Sequence, residues 1–468
     1  MSVNVNVCNI KSNPHCAHGP TVLFSRSNNS RRFYACSACR DRKDCSFFVY
    51  EDELNKVSNY KKNIWEMEKK KYIGNINHIK LYTVFNKMKE LSESDRIYCT
   101  TCEEFQLPKF RDKHIEHVLE TNISNYYLSR PSELLGPLDN SKKEAQYFFS
   151  KTAVKTIVDI LQTRNVRNVL CIGAPRIHEY ITNEEPDMNS LLLDIDRRYH
   201  NFYSPLQFCC PLQFCWYNSF NNHFFLPESY NIFKDFLQMD KGNNLTLVTD
   251  PPFGGRVELL SETYKQINEL YKTINKRCDD LEIIWIFPYF MEPQILNSLP
   301  GFKMLDYKVD YDNHPLFQTG PKGRKFGSPV RIFTNISPNE IKLPRDQGYK
   351  YCDVCDRWVA NENIHCNKCK TCPSKDGRTY THCEMCKRCV KPSWKHCGTC
   401  HRCAQVDHKC GELIFEQKCF HCNEEGHKKR DCPKVNHEKL QMKRKKNCEK
   451  NCPKVNHEKH ANEKEKKL

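Results

Sequence analysis

Hydrophobic positions gather in the middle of this chain and thin out toward both ends. Between about residues 140 and 345, apolar runs of five or six residues recur at Asn168–Ile172, Ser190–Asp194, Leu245–Thr249 and Glu282–Phe287. The segments between them are long enough for helices. Strands alternating with helical stretches predict a parallel, doubly wound sheet. The last two apolar runs, Phe302–Tyr311 and Pro329–Ile336, leave no room for a helix between them and are expected to pair antiparallel. No stretch approaches the roughly 18 apolar residues that a membrane span needs. The N-terminus, MSVNVNVCNIKSNPHCAHGP, lacks the basic start and apolar run of a secretory signal.

Outside the sheet region the chain is punctuated by cysteine and histidine. With 468 residues, 29 of them cysteine, it has room for one enzyme-sized core and several small modules. An intracellular, reducing setting makes those cysteines metal ligands in preference to disulfides. The balance of 73 Lys+Arg against 57 Asp+Glu, net +16, favours a polyanionic partner. After Pro433 the chain has almost no large apolar residue and reads as a disordered basic tail. PLQFC occurs twice, at Pro205–Cys209 and Pro211–Cys215, a duplication too short to be a fold repeat.

Tetrahedral zinc takes four thiolate or imidazole ligands, commonly two from a tight knuckle and two from further along. Cys16, His18, Cys36 and Cys45, with Phe33, Tyr34, Phe47 and Phe48 around them, resemble a GRF-type zinc finger; Cys39 competes with Cys45 for the fourth place. Cys99, Cys102, His114 and His117 follow the C2H2 plan, with the two histidines three apart and expected on one helix face. Cys419, Cys422, His427 and Cys432 form a CCHC knuckle with an aromatic, Phe420, positioned to stack on a base.

Between these, His-Cys-x2-Cys-x2-Cys occurs three times, and the layout resembles the cysteine-rich region of DHHC proteins, whose zinc sites interleave. Extended along this chain, that scheme implies four sets: Cys352, Cys355, His365, Cys372; then Cys366, Cys369, His382, Cys389; then Cys383, Cys386, His396, Cys403; then Cys397, Cys400, His408, Cys410. The tetrad itself reads Tyr380-Thr381-His382-Cys383, without flanking apolar spans, so palmitoyl transfer is not expected and the zinc is structural.

The candidate chemistry sits after the third of the parallel strands, at Asp250-Pro251-Pro252-Phe253. Active sites of open α/β sheets form at the carboxyl ends of strands. An exocyclic amino nitrogen is a poor nucleophile because its lone pair is delocalised into the ring. The Asp250 carboxylate and the Pro251 carbonyl can accept its two N–H groups, while Phe253 stacks on the base and two prolines keep the acceptors stiff.

The neighbouring segments resemble a class I methyltransferase. By that resemblance, the strand running into Gly173 and Arg176 binds S-adenosylmethionine, and Asp194 bonds the ribose hydroxyls, with Asp196 as the alternative. Asn218 and Ser219 read the adenine, and Gln146, Tyr147, Phe148 and Phe149 fold over the methionine end.

Taken together, the chain resembles the zinc-finger CCHC-domain rRNA N6-adenosine methyltransferase family over nearly its whole length, with VTDPPFGG, IFPYF, MLDYKVDYDNH and KPSWKHC similar to that family's sequence. The resemblance implies an α/β fold: a class I, Rossmann-like methyltransferase sheet with an antiparallel last strand, flanked by small zinc modules. The expected bounds are 10–55 for the GRF finger, 95–125 for the C2H2 finger, 130–345 for the methyltransferase domain, 349–411 for the interleaved array, 417–434 for the knuckle and 435–468 for the tail. It further implies S-adenosylmethionine-dependent N6-methylation of large-subunit ribosomal RNA, about seven structural Zn2+ ions, and residence in nucleus, nucleolus and cytoplasm. Other structured RNA is a second candidate partner, a membrane is not, and a monomer is favoured. Guanine-N2 methylation and a non-catalytic RNA-binding protein with a decayed methyltransferase fold are the competing readings.

Overall fold

The computed structural model describes residues 3–26, 29–39, 41–74, 76–138, 146–205, 213–314, 324–408 and 410. The CCHC knuckle, the basic tail and residues 206–212 of the duplicated stretch lie outside the described residues. The chain divides into two compact units, Met1–Tyr380 and a second beginning at Thr381.

The first unit is built on an eight-stranded sheet: β1 Asn168–Ile172, β2 Asn189–Asp194, β3 Phe214–Asn218, β4 His223–Phe224, β5 Leu245–Thr249, β6 Glu282–Pro288, β7 Lys303–Met304 and β8 Val330–Thr334. Their order is β4-β3-β2-β1-β5-β6-β8-β7. Strands β3, β2, β1, β5 and β6 run parallel, whereas β8 is antiparallel to β6 and β4 to β3. The chain thus leaves β1 toward β2 on one side and returns to β5 on the other, which opens a crevice at their carboxyl ends.

The strands read as continuous apolar runs because both faces are covered. Val169 and Cys171 pack into one hydrophobic cluster, Leu170 and Ile172 into the other; Leu192 opposes Leu191 and Leu193, and Ile284 and Ile286 oppose Ile283, Trp285 and Phe287. One face is sealed by α1 Lys151–Thr163 and α2 Pro175–Glu184, the other by α3 Ser229–Leu237, α4 Val257–Asn275 and α5 Glu292–Ser298. In α4 the buried residues Val257, Leu260, Tyr264, Ile267 and Tyr271 follow the three-four spacing of a single helix face. Ser150 caps α1 by accepting from the Ala153 N–H at 3.1 Å.

The expected antiparallel pairing at the end of the sheet is present but short. Only Lys303–Met304 forms a ladder with β8. Beyond it, Leu305 and Val309 each donate a single N–H, to Ile332 and Val330, so the segment leans on the sheet edge without being a regular strand.

Two zinc-type modules belong to the same unit. Strands Val3–Asn6, Val22–Arg26, Asn29–Ala35 and Phe48–Tyr50 form the N-terminal sheet, and Ile97–Cys99 lies between Glu104–Gln106 and Leu119–Thr121 in a second. The hairpin Tyr349–Cys352 with Arg357–Ala360 is tied to the main sheet through Asp306, whose Oδ2 accepts from the Ala360 N–H at 3.1 Å and from Asn363 Nδ2 at 2.6 Å. The second unit carries two further hairpins, Thr381–Cys383 with Arg388–Val390 and Trp394–Cys397 with Arg402–Gln405. No helix among the described residues is long and apolar enough to cross a membrane.

Candidate active site and zinc centres

A cavity of about 660 Å³ opens at the carboxyl ends of β1, β2, β3 and β5. Its sheet side is lined by Gly173, Asp194, Asn218, Ser219 and Asp250–Phe253, and Gln146 and Tyr147 close it from above. The opposite wall comes from the N-terminal finger, including His18, Cys39 and Cys45, and from Glu68, Lys71 and Tyr72 of helix Asn59–Ile73. Residues near 18, 72, 147, 194 and 250 therefore share one space.

Backbone geometry sets the floor. Gly173 has φ +63°, and a Cβ there would sit 3.1 Å from the Asp250 carbonyl oxygen. The single glycine of the expected cofactor turn is thus needed for the turn and for the close approach of β1 to β5. The Asp250 N–H donates to the Ile172 carbonyl at 3.1 Å, and its carboxylate Oδ1 accepts from the Tyr311 hydroxyl at 2.8 Å. Asp250 is half-buried at the cavity floor, and desolvation pushes its pKa well above the ordinary value, with the Tyr311 hydrogen bond working against that rise. Phe253 lies 5.5 Å from the Tyr147 ring at 33° and meets Phe287 and Tyr311 edge-on.

Asp194 and Asp196 both line the cavity, but their surroundings separate them. Asp196 is engaged by Arg198 through Nε and Nη2 at 2.7–3.1 Å. Asp194 spends Oδ1 on the Asp196 N–H at 2.9 Å, and burial, with Asp196 beside it, raises its carboxyl to about 7. Of the two carboxylates, Asp194 is the one not held by a cation, which fits the ribose-binding place.

Three expected cofactor residues stand outside the cavity lining, and the amide of a fourth is engaged by the finger. Phe148 and Phe149 are buried away from the cavity lining. Arg176 also stands outside it, tied to the Phe149 carbonyl, Asp312 and Glu133, where it fastens the 146–149 segment to α2. Asn218 does line the cavity, but its Nδ2 donates to the His18 carbonyl at 2.8 Å and to Ser37 Oγ at 3.2 Å, and its Oδ1 accepts from the Phe220 N–H. That amide holds the finger. Asn221 Nδ2 does the same at the His18 and Pro20 carbonyls, 3.0 and 2.8 Å away.

Ligands of one tetrahedral zinc lie roughly 3.6 Å apart when Zn–S is ~2.3 Å and Zn–N ~2.0–2.1 Å. Cys16, His18, Cys36 and Cys45 converge, their ligand atoms all within 4.8 Å, and Cys39 Sγ sits 3.5 Å from His18 Nε2 at the side. Cys99, Cys102, His114 and His117 also converge, at 3.1–3.5 Å where pairs touch. The shared helix face expected of those histidines is absent, since His114 ends a 3-10 helix and His117 lies in the turn beyond it.

In the array, Cys352, Cys355, His365 and Cys372 meet in the first unit, with Cys355–Cys372 at 3.7 Å. Cys383, Cys386, His396 and Cys403 repeat that geometry in the second, with Cys386–Cys403 at 3.6 Å. Cys397 lies 3.2 Å from Cys410, and Cys400 and Cys410 lie 3.4 and 3.1 Å from His408 Nε2. These all-Cys/His sets suit closed, structural zinc.

Tyr311, Tyr72 and the finger wall had no role assigned from sequence alone. Tyr311 lay in plain view within MLDYKVDYDNH, but its partner is 61 residues away in the chain.

Residues 140–335 match the family model described as probable N6-adenine methyltransferase, 14–54 match the GRF zinc finger, and 417–434 match the zinc knuckle. The chain is 47% identical over 435 residues to the Homo sapiens protein named rRNA N(6)-adenosine-methyltransferase ZCCHC4, covering 90% of this chain and 83% of that one. Relatives of the same name from Xenopus tropicalis and Mus musculus are each 45% identical, covering 91% and 90% of this chain and 87% and 83% of theirs.

Proposed function

Because this chain belongs to the rRNA N6-adenosine-methyltransferase family, we propose that it methylates N6 of an adenosine in large-subunit ribosomal RNA. The observation that carries the reading is Asp250-Pro251-Pro252-Phe253 at the carboxyl end of β5, opening on the same cavity as Asp194. S-adenosylmethionine, when bound, supplies an electrophilic methyl group. Gly173 and Asp194, with Gln146 and Tyr147 above, are the residues that would hold it, Asp194 by accepting from ribose hydroxyls.

Phe253 forms an aromatic platform for the target base. Asp250 and the Pro251 carbonyl accept the amino N–H groups, which draws lone-pair density out of the ring and toward the methyl group. A carboxyl whose pKa is raised by burial is also fit to take the proton that the nitrogen must lose.

The zinc modules bind RNA and the basic tail adds affinity for phosphate. Seven structural zinc ions serve one chain, one in each of the seven Cys/His sets named from the sequence. The protein works as a monomer in nucleus, nucleolus and cytoplasm. Mass spectrometry of nucleosides from ribosomal RNA treated with purified protein is the test: N6-methyladenosine is expected in the large-subunit RNA. N2-methylguanosine in its place, or no methylated nucleoside, overturns the reading.

A further inference from the structure

The peptide around Asp250 lacks something most aspartates at a turn possess. An aspartate carboxylate ordinarily accepts N–H groups from the residues just after it, which stabilises its charge. Here the next two residues are Pro251 and Pro252, and proline has no N–H to give. Asp250's own N–H is spent on Ile172. The same prolines that stiffen the acceptors leave the carboxylate without local donors, in a setting where burial already disfavours its charge.

The donor comes from another part of the fold. Tyr311 is fully buried on the segment that leans on β8, and its hydroxyl meets Asp250 Oδ1 at 2.8 Å. It is held there by an antiparallel bridge to Phe149, by ring contact with Phe149 at 5.1 Å, and by the Asp312 N–H donating to the Phe148 carbonyl at 2.9 Å. We propose that Tyr311 is the positioning residue of the methyl-transfer site: its hydroxyl takes Oδ1, fixes the carboxylate's rotation and leaves Oδ2 for the substrate's amino group. This rests on Asp250 being the amino-group acceptor. The other titratable groups around it are Tyr147 across the cavity, Asp194 on β2 and Tyr264 on α4; Tyr264 bonds Thr249 Oγ1 at 2.9 Å.

Tyr311→Phe removes one oxygen and keeps the ring. With methyl transfer measured from pH 5 to 9, kcat is expected to fall by about tenfold or more while KM for S-adenosylmethionine and for RNA stays within about threefold. The acid limb of kcat should move to higher pH, because the lost donor favoured the charged form. Tyr264→Phe, an equally buried change one hydrogen bond removed from Asp250, should leave that limb in place.

A readout free of catalysis separates this idea from the assigned reaction. In full-length, zinc-loaded protein carrying 13Cγ-aspartate, the Asp250 signal (identified by its loss in Asp250→Asn) should titrate at higher pH in Tyr311→Phe than in wild type. In wild type alone, the 13Cζ signal of Tyr311 should shift with the same midpoint as Asp250, which holds the test even if the variant folds poorly. An Asp250 midpoint unmoved in the variant, or a Tyr311 signal blind to it in wild type, overturns the proposal. A wild-type protein that titrates as described but transfers no methyl group instead overturns the reaction.

Discussion

Asp250 and Asp194 are both carboxylates raised by burial, and they carry separate predictions. Asp250→Asn should abolish methyl transfer, because an amide offers an N–H edge to an amino group that must itself donate. RNA affinity, measured by filter binding, should remain near wild type, since a carboxylate gives no attraction for phosphate. For Asp194, the carboxyl near 7 must be ionised to accept two hydroxyls. Cofactor affinity should therefore weaken as pH falls below about 7, by up to roughly tenfold per unit for one linked proton. Calorimetric titration across pH 6–8 measures this slope, and Asp194→Asn should flatten it. The sign for stability is opposite: a carboxyl raised in the fold costs stability as pH climbs from about 4 to 7 and adds no further cost above that.

Among the elements, the N-terminal finger has two jobs, because it is also a wall of the cavity. Asn221→Ala would leave the carbonyls of His18 and Pro20 without that donor, at a cost of about 1–3 kcal/mol. A lower melting temperature and a weaker cofactor affinity, both by the same variant, are the expected outcomes; an unchanged affinity would mean the wall is passive. The sheet was legible in the sequence because alternating residues of each strand serve two cores, which forces runs such as Leu191-Leu192-Leu193. Gly173 was legible because its turn demands a positive φ, and Asp250 because Asp-Pro-Pro-Phe follows an apolar strand directly. The roles of Asn218 and Tyr311 were not: the first answers to a carbonyl 200 residues away and the second to a carboxylate 61 residues away. Periodicity carries no record of such partners. In Phe302–Tyr311 the expected antiparallel pairing forms only at Lys303–Met304, because the apolar residues beyond it are buried without a regular ladder.

For the whole molecule, each structural zinc site contributes folding free energy on the order of 10 kcal/mol. Elemental analysis of metal-replete, full-length protein should return seven ions per chain, and four or fewer would refute the interleaved scheme. RNA engagement should be spread along the chain. Arg324 and Lys325 close the basic run GPKGRK that precedes β8 in the sequence, and changing both to alanine should flatten the salt dependence of binding by up to about two charges' worth. Removal of everything after Gln417 should weaken RNA binding and leave cofactor affinity unaltered.

The contacts of Asn218 and Asn221 with the His18 and Pro20 carbonyls span 200 to 203 residues of chain. On a translating ribosome, His18 emerges long before the asparagines that will bind its carbonyl, an interval of about 10–40 s at ~5–20 residues per second. Through that wait the nascent finger has its docking face bare. A chain terminated before codon 218 would thus carry the finger's zinc ligands and no cavity.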